Sequence, residues 1–461
     1  MTSVRSADEL RAELHVPALI VGAGACGLSA AIHLKDLGVE AWVLERDNVA
    51  RGSTALSSGF IPAAGTAAQR AAGIADSSQD FAQDIQAKAH GQAAAHLVEA
   101  YTSAIAHAMN GLQAQHGFDW QVLEGFLYPG HRRHRMHTLP ERQGQALIDR
   151  LQSRASTLDI SIVTNAMVVD LYLDKNQRVA GVGVLRPDQS YEAIACEALL
   201  LACNGYGGDR MLARQHLGSM GEALFAGHQG NDGSAVKWGL ALGAGLADMG
   251  ACQGHGSWAI PHGILLTWAL MIEGGVQLNI QGHRFHDETC GYSEAAPAVL
   301  AQTDAVAWCV FDEPIVQLAR SFPDFLELEH GGGVLKAEDS GELAVRIGCS
   351  RDDIEATLAW DIGQNDAFGR RFKRRLQFPL YAVRVTGALF HTQGGLDIDA
   401  HCRVRKTDGA TLPNLWAAGG AARGVSGGEL SGYLSGNGLL SAIAGAWIAA
   451  RDMAAFLGGS P

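Results

Sequence analysis

A glycine-rich turn between an apolar strand and a helix carries the clearest chemical signal in the sequence. Residues 22–27 read Gly-Ala-Gly-Ala-Cys-Gly and follow the apolar run 18–21. Glycines here let bare backbone N–H groups and the positive end of a helix approach a pyrophosphate. A second apolar strand, 40–44, ends at Glu45, about 20 residues on, where a carboxylate can accept the two hydroxyls of a ribose. The spacing predicts an adenine dinucleotide site, and the alternative is a structural turn without a ligand.

A run of basic residues offers a second chemistry. Residues 131–137 read His-Arg-Arg-His-Arg-Met-His. The planar guanidinium groups of Arg132 and Arg135 match the geometry of a carboxylate, so they could bind an acidic group of a substrate. The alternative is that this run forms a solvated loop face.

Composition and charge limit the classes of function. The chain has 461 residues, 47% of them apolar, so it can bury a large core, and two domains are expected. Its net charge of −13 argues against a nucleic-acid partner. The eight cysteines show no CxxC spacing, which excludes haem attachment, an iron–sulfur cluster and a zinc ribbon, and no metal site is predicted. Residues 1–17 lack the apolar core of a signal peptide, and longer apolar stretches are interrupted by glycine or charge. We therefore expect a cytoplasmic protein without a membrane span.

The order of the predicted elements favours an α/β fold. A helix from Leu28 to about Leu37 joins the first two strands, which is how a doubly wound parallel sheet begins. Further along, the pattern predicts helices within 81–115 and at 143–155, a hairpin of strands 168–173 and 179–185, a buried strand at 198–203, a strand at 412–418 and a final helix at about 439–456. The pattern of residues 251–389 is mixed. The sequence thus predicts one domain made of 1–250 and 391–461, with an α+β domain, 251–390, inserted into it.

Several motifs resemble the flavin-binding part of the fumarate reductase and succinate dehydrogenase flavoprotein superfamily. They lie at 51–54, 58–59, 63–66, 73–77, 202–208, 282–288, 392–395 and 415–419, in the family's order and across nearly the whole chain. The resemblance implies FAD, a Rossmann-like FAD-binding domain built from both chain ends, and an inserted capping domain that closes over the flavin. It also implies non-covalent FAD, because Ser53 stands where membrane-bound relatives carry their linking histidine.

The turn, the carboxylate and the resemblance together predict a set of cofactor-binding residues. They are Gly22, Gly24, Ala25, Cys26, Gly27, Glu45, Arg46, Ser53, Thr54, Ser58, Gly59, Val168, Asn204, Gly205, Gly419, Gly420, Gly438 and Leu439. A helix that starts after 436–438 would stabilise the negative charge of reduced flavin with its N-terminus. Gly420 stands where the family usually has an acidic residue, so one contact to the ribityl chain lacks its usual partner.

The active-site positions depart from fumarate reductase. Tyr292 and Tyr433 occupy the places of two arginines, one delivering a proton and one binding a carboxylate, and Phe390 replaces a histidine. Of the residues that handle a dicarboxylate in those reductases, only His255 remains. Succinate and fumarate are therefore poor candidates. The tyrosine pair resembles the 3-ketosteroid dehydrogenases of the same superfamily. That resemblance implies that Tyr292 removes a proton from the carbon α to a ketone, a hydride leaves the β carbon for flavin N5, and Tyr433 donates a hydrogen bond to the ketone. A backbone N–H within 436–438, including that of Gly436, could be a second donor.

A phenol with a pKa of ~10 is a weak base at neutral pH, so another group must lower the pKa of the tyrosine or accept its proton. Tyr128, His255 and His391 are the candidates for a proton relay, and the sequence does not choose among them. Alternatively, each tyrosine could be a packed structural residue. Each histidine could likewise be a structural residue held by hydrogen bonds.

The cap has few bulky apolar runs, so a small cyclic ketone resembling 4-oxocyclohexanecarboxylate is the preferred substrate, and a 3-ketosteroid is the second candidate. Phe390, Gly436, Arg132 and Arg135 are the predicted substrate-binding residues. The electron acceptor is expected to be oxygen, a quinone or a carrier protein. Two other hypotheses are an enoate reductase, which works in the opposite direction, and a non-catalytic flavin-binding module.

Overall fold

The computed structural model describes residues 2–458. In chain order its strands are β1 (Ser3–Ser6), β2 (Leu14–Val21), β3 (Ala41–Leu44), β4 (Ile61–Pro62), β5 (Gln121–Val122), β6 (Met136–Thr138), β7 (Ser161–Val163), β8 (Met167–Leu173), β9 (Val179–Leu185), β10 (Tyr191–Leu201), β11 (Leu224–Phe225), β12 (Leu246–Ala247), β13 (Cys252–Ala259), β14 (Ile264–Leu265), β15 (Val276–Leu278), β16 (Ala307–Asp312), β17 (Leu335–Ala337), β18 (Leu380–Thr392), β19 (Gly395–Leu396), β20 (Arg403–Arg405) and β21 (Thr411–Ala417).

The helices lie mostly between these strands. They are α1 (Ala25–Asp36), α2 (Gly52–Ala55), α3 (Ala67–Ala71), α4 (Ser78–Lys88), α5 (Ala95–His116), α6 (Gly144–Thr157), α7 (Arg210–His216), α8 (Ser234–Ala241), α9 (Ala269–Ile272), α10 (Tyr292–Leu300), α11 (Glu313–Ala319), α12 (Pro323–His330), α13 (Ser340–Ile347), α14 (Arg351–Leu358) and α15 (Asn437–Phe456).

A nine-stranded sheet forms the core of the first layer and confirms the predicted α/β class. Its parallel part runs β7-β3-β2-β10-β21. The first half of β10 pairs instead with β9, and β9 pairs antiparallel with β8, so the predicted hairpin is confirmed. Because β2, β3 and β10 are parallel, their carboxyl ends meet at one edge, where ligands of such sheets bind.

The glycine-rich turn joins β2 to α1 at that edge. Gly22 has a φ of +105°, which favours glycine, and a Cβ on Gly27 would lie 1.9 Å from the Gly22 carbonyl oxygen. Helix α1 begins at Ala25 and not at Leu28, so the predicted start was wrong by one turn. The reason is a cap from outside the helix, since the Ala25 N–H donates to Thr54 Oγ1 at 3.2 Å.

A seven-stranded sheet carries the second layer. Its central strands β13, β16 and β18 are antiparallel, and helices α9 to α14 lie between its strands in the sequence. Strand β11 also pairs with β18, so one strand of this sheet precedes the predicted inserted segment, 251–390. Strand β18 continues to Thr392, just past the predicted boundary. The boundaries themselves stay a prediction.

Helix α15 packs in the protein interior. Among residues 2–458 it is the one helix long and apolar enough to cross a membrane, with a mean hydropathy of 1.3. It contacts α1 and α5, and Leu440, Ile443 and Met453 are fully buried. These contacts are those of a core helix, and the cytoplasmic location stays a prediction.

Replacement of Gly27 by alanine tests the close approach within the turn. The added Cβ would meet the Gly22 carbonyl, which belongs to rigid backbone, so the variant should lose about 1–3 kcal/mol or more of unfolding free energy. Gly111→Ala is the matched control, because Gly111 lies inside α5 with open space around it and alanine should add about 0.5–1 kcal/mol there. Thermal unfolding measures both, and a G27A protein as stable as the wild type would show that the turn tolerates a side chain.

Candidate active site

A cavity of about 620 Å³ is lined by residues of both sheets, and its volume is usual for small-molecule sites. From the first layer it takes the β2–α1 turn and the ends of β3 and β10. From the second layer it takes residues of β13, β14, β18 and the start of α10. Most of the predicted site residues are brought together here.

The carboxylate of Glu45 lies at one end of the cavity and is 6% exposed. One of its oxygens accepts the Ala23 N–H at 2.9 Å, and the other accepts the Asp47 N–H at 3.0 Å. Each oxygen keeps a free lone pair, so the carboxylate can still accept two ribose hydroxyls.

The segment that begins at α2 closes one side of the cavity. Ser53 Oγ accepts an N–H of the Asn231 side chain at 2.8 Å, and Thr54 caps α1 as described above. Ser58 and Gly59 also line the wall. Ser53 therefore has an ordinary structural hydrogen bond at the place of the linking histidine.

The N-terminus of α15 faces the cavity and leaves polar groups for a ligand. Ser441 lines the wall, and its buried hydroxyl has no partner among residues 2–458. Gly436 has a φ of +87°, and a Cβ there would meet the Pro62 ring at 2.5 Å. A Cβ on Gly420 would lie 2.0 Å from the amide oxygen of Asn204, so this amide fills the space of the acidic residue that the family usually has. A bare backbone, a helix N-terminus and an unpaired hydroxyl fit the flavin end of FAD.

Two predicted cofactor residues do not line the cavity. Gly27 packs under the turn, as described above. Gly205 lies against Thr392, whose Oγ1 would be 2.0 Å from an added Cβ. Both glycines allow close backbone packing behind the wall, and their predicted contact with the cofactor stays a prediction. The other predicted cofactor residues all line the cavity.

Three tyrosines meet at the far end of the cavity. Tyr292 is the first residue of α10, and its ring meets those of Tyr128 and Tyr433 edge-on, with centroids 6.3 and 6.1 Å apart. His255, from β13, stacks on Tyr292 with centroids 4.6 Å apart and planes 14° apart. The stacking was not predictable from the sequence, because it depends on the placement of α10 against β13.

Burial keeps the three phenols protonated at neutral pH. It raises the pKa of Tyr292 well above its ordinary value, and the nearby Tyr433 raises it further, while the Ser435 hydroxyl as a donor lowers it. Burial also raises the pKa of Tyr433, against the effect of the Gly438 and Gly436 N–H groups, which lower it. Burial raises the pKa of Tyr128 to about 12. The site thus presents hydroxyl donors to a ligand.

The two predicted histidines are neutral for the same reason. Burial lowers the pKa of His255 to about 3, and its Nδ1 lies 3.0 Å from the Ser257 hydroxyl. Burial also lowers the pKa of His391, whose ring lies 5.6 Å from that of Tyr433. A Cβ on Gly438 would come within 2.7 Å of His391 Nε2, so glycine is required where α15 begins.

Aromatic side chains complete the wall near Tyr292. Phe390 lies 5.5 Å from Trp258 and 5.7 Å from His255, as measured between ring centroids. Sequence reasoning missed several other lining residues, namely Phe60, Met136, Leu265, Thr267, Trp268 and Ser435. Of these, only Ser435 had a signal, because it lies between Tyr433 and Gly436.

The predicted carboxylate-binding arginines are elsewhere, and this prediction is wrong. Arg135 has no exposed side-chain surface and binds Asp76, at 2.6 Å, and Asp84. Arg132 also pairs with Asp84, and neither arginine lines the cavity. The carboxylates that neutralise them come from the loop before α4 and from α4 itself.

This ion network instead supports the turn that carries Tyr433. His131, in the same loop, donates from Nε2 to the Ser435 carbonyl oxygen at 3.0 Å. Burial lowers the pKa of His131 to about 4, so its neutral ring makes this bond. The loop that holds the arginines therefore fixes the backbone between Tyr433 and α15.

A family comparison decides the cofactor. Residues 18–439 match the family of FAD binding domains. The chain belongs to this family. FAD is its cofactor, and the protein is a flavoprotein oxidoreductase. Among residues 2–458, no cluster of three or more His, Cys, Asp or Glu side chains could hold a metal ion.

The flavoprotein has relatives of two kinds. The probable fumarate reductase Ifc3 of Shewanella frigidimarina is 26% identical over 415 residues, which are 89% of this chain and 70% of that protein. The 4-oxocyclohex-2-ene-1-carboxylate 5-dehydrogenase of Sinomonas cyclohexanicum is 24% identical over 363 residues, 68% of this chain and 60% of that protein. In fold, the chain is similar to the 3-ketosteroid-delta4-(5alpha)-dehydrogenase of Rhodococcus jostii RHA1, with a TM-score of 0.76 and 22% identity over 98% of this chain and 99% of that one. The predicted superfamily is confirmed.

Replacement of Arg135 by methionine tests the structural role of the ion network. The variant leaves the buried Asp76 without its arginine and leaves Asp84 with Arg132 alone, so we expect the flavoprotein to lose about 3–5 kcal/mol of unfolding free energy. The control is Arg133→Met, which changes an exposed side chain and should stay within about 0.5 kcal/mol of the wild type. Urea unfolding measures both.

The stability that the R135M variant loses should depend on pH. Burial raises the Asp84 pKa, but hydrogen bonds from Arg135 and Arg132 outweigh burial, and the pKa lies below its ordinary value. A depressed folded-state pKa stabilises the protein above the unfolded pKa, and this stability is lost as the pH falls through the folded value. The difference in unfolding free energy between the wild type and R135M should therefore become smaller below about pH 4. An unchanged difference down to the lowest pH at which the protein folds would contradict the charge pairing.

Proposed function

We propose that this flavoprotein desaturates a cyclic ketone between the carbons α and β to its carbonyl. The observation that carries the proposal is the pair Tyr292 and Tyr433, whose rings meet at 6.1 Å inside the cavity and beside the N-terminus of α15. Two phenols and a helix N-terminus suit a substrate whose oxygen becomes negative during the reaction.

The overall step removes a proton and a hydride from the ketone and leaves a C=C bond. Bound FAD supplies the two-electron acceptor for the hydride from the β carbon. Tyr292, as phenolate, takes the proton from the α carbon. An external acceptor, which is oxygen, a quinone or a carrier protein, then removes the two electrons from the protein.

Tyr433 holds the ketone oxygen in this proposal. Its hydroxyl is protonated at neutral pH and lies near the N–H groups of Gly436 and Gly438. Because the Tyr433 hydroxyl and these N–H groups lie close together, a carbonyl bound there would contact both a phenol and backbone donors. Donors in a dry site stabilise the enolate that forms as the α proton leaves.

Tyr128 is our proposal for the proton relay. Its ring meets Tyr292 edge-on at 6.3 Å, and its hydroxyl has the Thr267 side chain as a hydrogen-bond partner. The ring of His255 instead stacks on that of Tyr292, with planes 14° apart, and its Nδ1 already has the Ser257 hydroxyl as a partner at 3.0 Å. His391 lies beside Tyr433, the proposed donor. Geometry thus favours Tyr128 over either histidine.

The proposed substrates are a small oxocyclohexane, as in the name of the Sinomonas relative, and a 3-ketosteroid, as in that of the Rhodococcus structure. The steroid enzyme supports the fold alone at 22% identity. The aromatic wall of Phe390 and Trp268 suits an apolar ring in both cases.

Replacement of Tyr292 by phenylalanine tests the base. Loss of the hydroxyl should lower the rate of anaerobic flavin reduction by a cyclic ketone about 10²–10⁴-fold, which is the usual contribution of a general base. FAD should stay bound, because the hydroxyl is at the substrate end of the cavity. The matched control is Tyr381→Phe, since Tyr381 lies on β18 outside the cavity and bonds Glu313. Full activity in Y292F would reject the mechanism.

The pH dependence of the rate gives a second test. The pKa of Tyr292 is raised, so its phenolate fraction grows about tenfold per pH unit throughout the usual assay range. Flavin reduction by the ketone should rise in the same way from about pH 6 to about pH 9, without a plateau. A rate that is flat over this range would exclude Tyr292 as the base.

An enoate reductase is the second candidate, and the 26% identity to the Shewanella fumarate reductase favours it. A protonated Tyr292 could donate a proton to an α carbon in that direction. Anaerobic assays with a reduced dye and unsaturated acids separate the two functions, since only a reductase would consume the dye with these acids. A non-catalytic module would neither be reduced by ketones nor reoxidised by enoates.

A further inference from the structure

The wall of the cavity carries few charged groups. Among the described residues that line it, Arg46 and Lys237 are the only lysine or arginine side chains. Arg46 donates to Asp232 at 3.0 Å, and Lys237 pairs with Asp209 at 2.8 Å. Arg46 follows Glu45 directly in the chain, which places this charge at the nucleotide end. Lys237 also donates to the Asp232 carbonyl oxygen at 2.7 Å, so it lies beside Arg46. Both cations are therefore neutralised and lie where the dinucleotide would bind.

The tyrosine end has no fixed positive charge. Its lining residues are aromatic, aliphatic or uncharged polar, namely Phe60, Tyr128, Met136, Gln253, His255, Leu265, Thr267, Trp268, Tyr292, Phe390, His391 and Tyr433. The two histidines are buried and neutral at pH 7. An anion bound here would find hydroxyl donors but no cation.

The arginines behind the wall do not change this balance. Arg132 and Arg135 form ion pairs with Asp76 and Asp84, so two positive and two negative side chains cancel. Arg133, the third arginine of that loop, is exposed to solvent.

We propose that the ketone substrate is uncharged and that this site discriminates against carboxylates. The inference rests on the proposed function and names its substrate class. A carboxylate would lose its hydration without gaining a partner charge. It would also repel the negative charge that develops on the ketone oxygen in the same dry space. The preferred oxocyclohexane is therefore a neutral one, and the acid in the name of the Sinomonas relative is a poor substrate for this chain.

Stopped-flow reduction of the FAD-loaded protein under anaerobic conditions tests the inference with a matched pair. The pair is 4-oxocyclohexanecarboxylate and its methyl ester, with 4-methylcyclohexanone as a second neutral ketone. We expect the ratio of reduction rate constant to Kd to be about 10–100-fold higher for both neutral ketones, the range set by leaving one charged group unpaired. An acid that reduces the flavin as well as its ester does would overturn the inference.

A binding arm separates this inference from the proposed function. Planar phenols mimic an enolate, and their binding shifts the flavin absorbance without turnover. The amide 4-hydroxybenzamide should bind at least about tenfold more tightly than the acid 4-hydroxybenzoate. If none of the three ketones reduces the flavin but the amide still binds more tightly than the acid, the desaturase proposal fails and the charge selectivity stands. Equal or reversed binding rejects the charge selectivity itself.

A charge introduced into the wall should reverse the preference. Leu265, on β14, lines the cavity and is partly exposed, so an arginine there can reach water with part of its side chain. Leu265→Arg should raise the ratio of reduction rate constant to Kd for the acid, relative to that for its ester, at least about tenfold. Leu265→Met should leave this acid-to-ester comparison as in the wild type. Retained FAD absorbance shows that the variant is folded. A folded L265R protein with an unchanged ratio would contradict the electrostatic cause.

Discussion

Burial without a compensating cation governs the chemistry of the cavity around Tyr292. The same dry wall raises the pKa of three tyrosines and lowers those of His255 and His391, so every titratable group there is neutral at rest. Neutral phenols donate hydrogen bonds strongly in such surroundings, because little water competes. The cost is that Tyr292 must lose a proton against its raised pKa before it can act as a base. In the proposed reaction, one environment therefore creates two requirements, which are hydrogen-bond donors at the ketone oxygen and a relay for the proton.

Fixed charges lie behind this wall and act on it through the backbone. Arg135 and its two aspartates hold the loop from which His131 reaches the Ser435 carbonyl. That carbonyl precedes the sharp turn at Gly436, after which α15 begins. The charges therefore orient Tyr433 and the helix N-terminus without entering the site. This separation explains how a chain with an arginine-rich loop can have a cavity whose reactive end is uncharged.

Local patterns predicted most of the residues that line the cavity near the glycine turn and some of those that line it near the tyrosines. The glycine turn and Glu45 could be found because strand, turn and carboxylate follow each other at a spacing that the ligand dictates. The tyrosine pair was recognised from the motifs beside it, and the structure brings both rings to one place. The role of Arg135 could not be found, because its aspartates lie 59 and 51 positions earlier and no periodicity links them. Leu265, Thr267 and Trp268 were missed since they come from a loop and a short strand that carry no motif.

Two phenols that face one carbonyl-bearing ring are the central feature of the proposed reaction. A crystal structure of the FAD-loaded protein with a neutral cyclic enone, the reaction's product, tests this most directly. We predict that the ketone oxygen lies within hydrogen-bond distance of the Tyr433 hydroxyl and an N–H of 436–438, with the Tyr292 hydroxyl facing the α carbon. A ring bound with its oxygen away from Tyr433, or with Tyr292 turned from the α carbon, would contradict the desaturase assignment.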